Sequence, residues 1–181
     1  MSFATEKCYT ASTACAVAEV PPSTLRAWRN NNGLLSGPAH KGWNRFSIVD
    51  LCVIRLVSQL TKRGMQADDA CKTAPFIGLS FHSLIDGEHP SRFVWITDQR
   101  VVYANEDMTI SKYLDNERTP NEVALFVDLR TILSHVMKYI IDLKPETFMS
   151  SEDLDNLISK TMADVLRPPP EDQESNDQPA E

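Results

Sequence analysis

Apolar residues recur at helical spacing through the first 75 residues and predict four helices there. Thr10 would cap the first helix, whose buried face would consist of Ala14, Val17 and Ala18. Pro22 suits the first position of a second helix, because an N–H at that position would have no partner within the helix. The first two predicted helices are therefore short and lie close together in sequence.

The second predicted helix has one apolar and one basic face. Leu25 and Trp28 lie three residues apart and point toward a core, whereas Arg26 and Arg29 point outward. The helix is expected to end before Gly33. This pattern predicts Trp28 as a core residue and leaves the two arginines available for binding.

The third predicted helix is strongly apolar and the fourth is short. Ser47 and Asp50 form a capping-box start for the third helix, which runs to about Arg63, and Gly64 follows as a stop signal. The fourth helix is expected over residues 67–74 and ends at Pro75, because proline interrupts a helix interior.

Beyond residue 75 the pattern becomes β-rich. Residues 92–97 and 100–105 carry β-branched and aromatic side chains around a short break, which predicts a hairpin. Its aromatic residues would either line a small-molecule pocket or pack as core against the helix that begins at Leu129; the pattern leaves both open. They are Phe93, Trp95 and Tyr103.

The next apolar run has two interpretations. Residues 123–127 form either a buried strand followed by a helix capped by Asp128, or part of one long helix that starts at Pro120. We favour the strand and helix. A helical apolar stripe then follows, more typical of a core helix than of a coiled coil: Leu129, Ile132, Leu133, Val136, Ile140 and Leu143.

A last helix is predicted from Ser150, after which residues 167–181 have a composition that cannot bury a core. The chain thus divides into a mainly helical part over residues 1–75, a small α+β part over residues 76–166, and a disordered acidic, proline-containing tail over residues 167–181. The expected fold class is α+β.

Charge divides along the same lines. The formal net charge is −7, but residues 1–75 carry nine Lys and Arg against five Asp and Glu. The counts are eight against fifteen in residues 76–166 and one against five in the tail. Because binding depends on the local field, an acidic protein can still present a basic surface to a polyanion.

The four cysteines fit neither a zinc site nor a disulfide scaffold. Cys8, Cys15, Cys52 and Cys71 include no C-x-x-C pair. No stretch resembles a signal peptide or a membrane span. We therefore expect a cytoplasmic protein with neither a bound metal nor a cofactor.

No enzyme motif is present in the sequence. It contains no G-x-S-x-G motif and no phosphate-cradling glycine loop. His82 and His89 flank Asp86 and Glu88, but their spacing matches no metal-binding arrangement, and we expect no metal ligand there. The sequence indicates a binding protein rather than an enzyme.

Together these residues resemble the N-terminal winged helix-turn-helix domain of MerR-type transcriptional regulators. The resemblance extends from Tyr9 to about Ala74, with matching order and spacing. The residues that carry it are Val20, Thr24-Leu25-Arg26, Trp28, Gly33-Leu34-Leu35, Gly42, Arg45-Phe46-Ser47, Asp50-Leu51, Leu60 and Gly64.

The resemblance implies that the second helix enters the DNA major groove, while a wing over residues 36–46 reaches the flanking backbone. Guanidinium groups suit phosphates and guanine edges, and a hydroxyl at a helix start suits a phosphate. The expected contacts are Thr24, Arg26 and Arg29 from the helix, and Lys41, Trp43 and Arg45 from the wing. The family also implies a homodimer on double-stranded DNA.

Three features depart from the family pattern. A β-rich stretch follows the fourth helix, where a long dimerisation helix is usual. Glu19 stands in the helix-turn-helix turn where a glycine is common. No cysteine follows Cys71, so metal sensing is not expected.

We therefore expect a sequence-specific, dimeric DNA-binding regulator of transcription. The α+β part would mediate dimerisation, and a protein partner or small-molecule effector at this part stays open. One alternative is an excisionase-like or architectural DNA-binding factor. Another is an antitoxin or anti-repressor, whose acidic C-terminal part would hold a basic partner.

Overall fold

The structure is a computed structural model that describes residues 5–36, 45–87, 92–97, 101–104 and 124–143. Its first four helices are α1 (Ala11–Ala18), α2 (Pro22–Asn31), α3 (Ile48–Lys62) and α4 (Ala67–Asp86). Strands β1 (Phe93–Ile96), β2 (Val101–Ala104) and β3 (Leu125–Asp128) follow, and then helix α5 (Leu129–Asp142). The α+β class expected from the sequence is confirmed. None of the described helices has the length and apolar content needed to cross a membrane.

The helix starts follow the predicted capping chemistry. The Thr10 side chain accepts a hydrogen bond from the Thr13 N–H, and Pro22 occupies the first turn of α2. Ser47 and Asp50 form the predicted capping box, in which the Asp50 carboxylate accepts from the Ser47 N–H at 2.8 Å. Asp128 caps α5 by accepting from the Arg130 N–H at 3.0 Å. Each of these bonds satisfies a backbone N–H that has no partner within its helix.

The fourth helix extends well beyond its predicted end. It runs to Asp86 with Pro75 in its interior, so the expected stop at Pro75 is wrong. Pro75 itself is exposed, whereas Ala74, Ile77 and Phe81 are buried on the inner face. The apolar contacts of that face hold the helix together across the hydrogen bond that proline cannot make.

The three strands form an antiparallel sheet in the order β2-β1-β3. Ile96 pairs with Val101 across the predicted hairpin, and Trp95 pairs with Phe126 of β3. The strand interpretation of the third apolar run is confirmed, and the alternative of one long helix from Pro120 is wrong. The expected burial of this strand is also wrong, because β3 lies at the edge of the sheet with Phe126 exposed and its other residues only partly buried. In sequence the strands lie between α4 and α5. The N–H of Leu129 at the start of α5 donates to the Arg92 carbonyl at 2.9 Å.

One hydrophobic core connects the predicted N-terminal and C-terminal parts. Leu51 and Leu56 of α3 belong to the same buried cluster as Val94 of β1 and Leu133 of α5. The predicted apolar stripe of α5 is buried, except that Leu143 is about half exposed, at 49%. Helix α4 continues through residue 75, where the first two parts of the chain were expected to meet. The division of the chain into these parts stays a prediction. The last helix and the acidic tail lie outside the described residues.

Candidate nucleic-acid interface

Helices α1 and α2 are joined by a tight turn centred on Glu19. Glu19 has φ 56° and ψ 46°, a left-handed conformation that favours glycine. Its N–H donates to the Ala16 carbonyl at 3.1 Å, and the Val20 N–H donates to the Cys15 carbonyl at 3.0 Å. The departure seen in the sequence, Glu19 in place of a glycine, thus falls on a residue with positive φ.

The Glu19 carboxylate is held by two basic side chains of α3. Its Oε2 lies 3.0 Å from Arg55 Nη1 and 2.8 Å from Lys62 Nζ. Hydrogen bonds from Arg55 and then Lys62 lower the pKa of Glu19 to about 2, so the carboxylate is charged at neutral pH. Local sequence patterns do not reveal this ion-pair network, because Arg55 and Lys62 lie 36 and 43 residues away from Glu19 along the chain.

The carbonyls at the end of α1 also accept hydrogen bonds from other elements. Ser58 Oγ donates to the Ala18 carbonyl at 2.7 Å, and Arg55 Nη1 donates to the Val17 carbonyl at 3.3 Å. His135 Nε2 of α5 lies 3.2 Å from the same Val17 oxygen. The turn between α1 and α2 is therefore fixed by α3 and contacted by α5.

The second helix is oriented by its apolar side chains. Leu25 and Trp28 are buried in the core, which confirms the predicted role of Trp28. Thr24 is partly buried near the start of α2, and Arg26 is exposed. A rigid helix thus carries a basic side chain on the face opposite its anchor.

Arg29 is less accessible than Arg26. Its guanidinium carbon lies 5.5 Å from the centre of the buried Phe46 ring, which is a cation–π distance. Its Nε is buried without a hydrogen-bond partner among the described residues. Arg29 therefore packs against the core of the domain and also lies beside Arg26 on α2.

Arg45 lies at the base of the predicted wing and is exposed. Its Nη1 donates to the Cys8 carbonyl at 2.8 Å. Next to it, Tyr9 and Phe46 exchange two backbone hydrogen bonds of 3.0 and 2.8 Å. The segment before α1 is thereby fastened to the end of the wing. The other two predicted wing contacts, Lys41 and Trp43, lie outside the described residues.

A groove of about 470 Å³ separates α1 from α2. Arg26 and Arg29 line it from α2, and Ser12 lines it from α1. Asn30 of α2 also lines it. Ser12 and Asn30 were not among the predicted contacts, although both have side chains able to hydrogen-bond a phosphate. Their proximity to the arginines depends on the packing of α1 against α2.

The cysteines and histidines do not assemble a metal site in the described part of the chain, where no group of three or more potential ligands occurs. Burial raises the pKa of Cys71 to about 11 and also raises the pKa of Cys15, so both thiols are protonated at neutral pH. His82 Nδ1 lies 2.9 Å from Asp86 Oδ2 of the same helix. His89 lies outside the described residues.

The hairpin aromatics occupy both faces of the sheet. Val94 and Ile96 of β1 pack in the main core together with residues of α5. Because neighbouring side chains of a strand point to opposite faces, Phe93 and Trp95 lie on the face of the sheet that points away from α5. The Phe126 ring contacts them at centroid distances of 5.0 and 4.6 Å. The core interpretation that placed Phe93 and Trp95 against α5 is therefore wrong.

The comparison with known families agrees with the helix-turn-helix geometry. Residues 9–74 match the family model described as MerR HTH family regulatory protein. The match includes α1, α2, α3 and the first part of α4. No curated protein matches the sequence closely enough to count as a relative.

Proposed function

We propose that the protein is a DNA-binding regulator of transcription that acts as a sequence-specific homodimer, because residues 9–74 match the family model of MerR-type helix-turn-helix regulators. The family match over the helix-turn-helix carries this proposal. The exposed Arg26 on the well-anchored helix α2 supports it. We further propose that residues 76–166 mediate dimerisation and regulation.

In this proposal α2 enters the major groove. Thr24 and Arg26 would contact phosphates or base edges, and Arg29 would contact a base edge from its position over Phe46. Arg45, with Lys41 and Trp43, would contact the flanking backbone. Because phosphate contacts release bound counterions, the affinity should fall steeply as salt concentration rises.

An exposed apolar surface on α4 is our candidate for the dimer contact. Phe76 and Leu79 lie about one helical turn apart, with 73% and 78% of their surfaces exposed. Tyr103 is 41% exposed, and its hydroxyl donates to the Phe76 carbonyl at 3.3 Å. Helix α5 is a weaker candidate, since its apolar stripe is already buried within the same chain.

The proposal is tested by genome-wide occupancy followed by footprinting of the bound sites. A transcriptional regulator should protect sites that overlap promoters, with two half-sites about one DNA turn apart. Protection of recombination attachment arms without promoter sites would instead indicate an excisionase-like factor and contradict the proposal.

The binding face is tested by titrating variants against the footprinted site. We expect Arg45→Ala to weaken binding similarly on all sequences, at a cost of about 1–3 kcal/mol. Arg29→Ala should cost a similar amount and also relax the preference at one or two base pairs. Lys138→Ala removes an exposed cation from α5 and is the matched control. Full operator binding by the Arg26→Ala/Arg45→Ala double variant would contradict the assignment.

The dimer surface is tested by measuring the mass in solution. The double variant Phe76→Ser/Leu79→Ser should be monomeric at concentrations where the parent is dimeric, because it removes the exposed apolar surface. Leu143→Ser, at a leucine directly after α5 that is 49% exposed and lies outside this surface, is the control. A parent monomer, or a dimer that persists in the double variant, would rule out this surface.

A further inference from the structure

A second groove, of about 350 Å³, lies between α3, β3 and the first turns of α5. Arg63 and Leu60 line it from α3, Phe126 and Val127 from β3, and Thr131 and Ile132 from α5. This volume is at the lower end of the range of small-molecule sites, about 300–1,000 Å³. None of these residues belongs to the proposed DNA-binding face or to the proposed dimer surface.

Among the described residues that line this groove, the Arg63 side chain forms no ion pair with an acidic residue. Arg55 is paired with Glu19 at 3.0 Å, and Asp128 is paired with Arg92 at 3.0 Å. The Arg63 side chain donates hydrogen bonds only to Gln59 of its own helix within the part of the chain that the structure describes, at 3.2 Å to the carbonyl and 2.8 Å to Oε1. The Arg63 guanidinium is exposed and keeps donors for an added anion.

The remaining lining is largely apolar. The Phe126 ring is 42% exposed, and Val127 and Ile132 contribute aliphatic surface next to it. A ligand that suits this groove therefore has an apolar, preferably aromatic, body and one negatively charged group. Its anion would bind Arg63, while its body would cover the Phe126 ring.

We propose that this groove between α3, β3 and α5 binds a small organic anion with an aromatic or aliphatic body. The site adjoins the helix-turn-helix turn, because Arg55 and His135, which also line the groove, contact the Val17 carbonyl. Occupancy should therefore change the affinity for operator DNA. That consequence rests on the proposed function, whereas ligand binding itself does not.

The probe for the test is anilinonaphthalene sulfonate, an aromatic anion whose fluorescence rises when it is bound. The full-length protein carries Phe76→Ser/Leu79→Ser as background, so that the exposed surface of α4 does not take up the dye. We expect one dye per chain. Arg63→Gln should weaken dye binding about tenfold, because a charge-assisted hydrogen bond is lost. Thr131→Trp, at an exposed position, should fill the groove and abolish binding.

Two controls separate this site from general attraction to the protein. Lys138→Gln removes an exposed cation from the outer face of α5 and should leave dye binding unchanged. The uncharged counterpart N-phenylnaphthylamine should bind more weakly than the dye and should not respond to Arg63→Gln. Unchanged dye affinity in Arg63→Gln or Thr131→Trp overturns the proposal, as does an equal loss in Lys138→Gln.

The dye titration is done without DNA, so its outcome stands if no operator is found. If the protein binds no operator, the proposed function is contradicted, but the groove proposal is still decided by the dye titration alone. Dye binding at the groove without any change in operator affinity would overturn the coupling alone.

Discussion

Glu19 combines an unfavourable backbone conformation with favourable side-chain contacts. A positive φ is costly for a residue with a Cβ, by roughly 1–2 kcal/mol. The ion pairs of the Glu19 carboxylate with Arg55 and Lys62 offset this cost. Because the Glu19 side chain is 51% exposed, each ion pair contributes less than about 1 kcal/mol. The two effects are of similar size, which is how a glutamate is tolerated in this turn.

Replacing Glu19 separates these two effects. Glu19→Ala and Glu19→Gly both remove the ion pairs, but only alanine keeps the strained φ of 56°. We expect Glu19→Ala to be less stable than Glu19→Gly by about 1 kcal/mol in chemical denaturation. Equal stability of the two variants would show that the turn relaxes away from positive φ.

The pH dependence of stability provides a second measurement at Glu19. Its pKa is lowered from 4.5 to about 2 in the folded protein, so its contribution is fully present above the unfolded value and is lost as pH falls toward 2. We expect the parent to melt at a higher temperature than Glu19→Gln at pH 7. The difference should shrink between pH 4.5 and pH 2. A difference that is constant with pH would contradict the ion-pair assignment.

At the scale of elements, local sequence signals predicted the starts of the helices correctly but not the end of α4. The capping residues Thr10, Ser47 and Asp128 act within three residues of their partners, so the sequence alone identifies them. Pro75 is also a local signal, but α4 continues past it because its inner face is buried against α3 and α5. Tertiary packing outweighs the local preference at this residue.

Pro75→Ala should stabilise the protein. The substitution restores the N–H that can donate to the Cys71 carbonyl and places a good helix former at an exposed position. We expect an increase of about 1–3 kcal/mol in the free energy of unfolding, measured by urea titration. Lys72→Ala, at an exposed position of α4 outside the proposed dimer surface, should change stability by less than about 0.5 kcal/mol. A loss of stability in Pro75→Ala would indicate that α4 requires the proline.

At the scale of the whole molecule, the helices of the helix-turn-helix share their core with the elements that follow. Helix α5 packs against α1, α3 and α4, and its Leu133 is only 1% exposed. A change in α5 therefore reaches the helix-turn-helix through direct contacts. This arrangement also places the proposed ligand groove next to the turn at Glu19.

Leu133→Ala tests whether the chain unfolds as one unit. The cavity should lower the free energy of unfolding by about 2–5 kcal/mol. Amides of α3 should lose as much protection from hydrogen exchange as those of α5, because both elements share one core. Lys138→Ala on the exposed side of α5 is the control. Exchange that increases in α5 and the sheet alone would show two independent units.

The sequence by itself determined the features that depend on near neighbours. These are the helix periodicity, the caps, the hairpin, the buried role of Trp28, and the basic N-terminal part with its helix-turn-helix pattern. The tertiary structure decided the features that depend on distant residues. Arg29 lies over Phe46, Glu19 is paired with Arg55 and Lys62, and α5 packs into the N-terminal core. Periodicity identifies which face of an element is buried, but the partner of that face depends on how the whole chain packs.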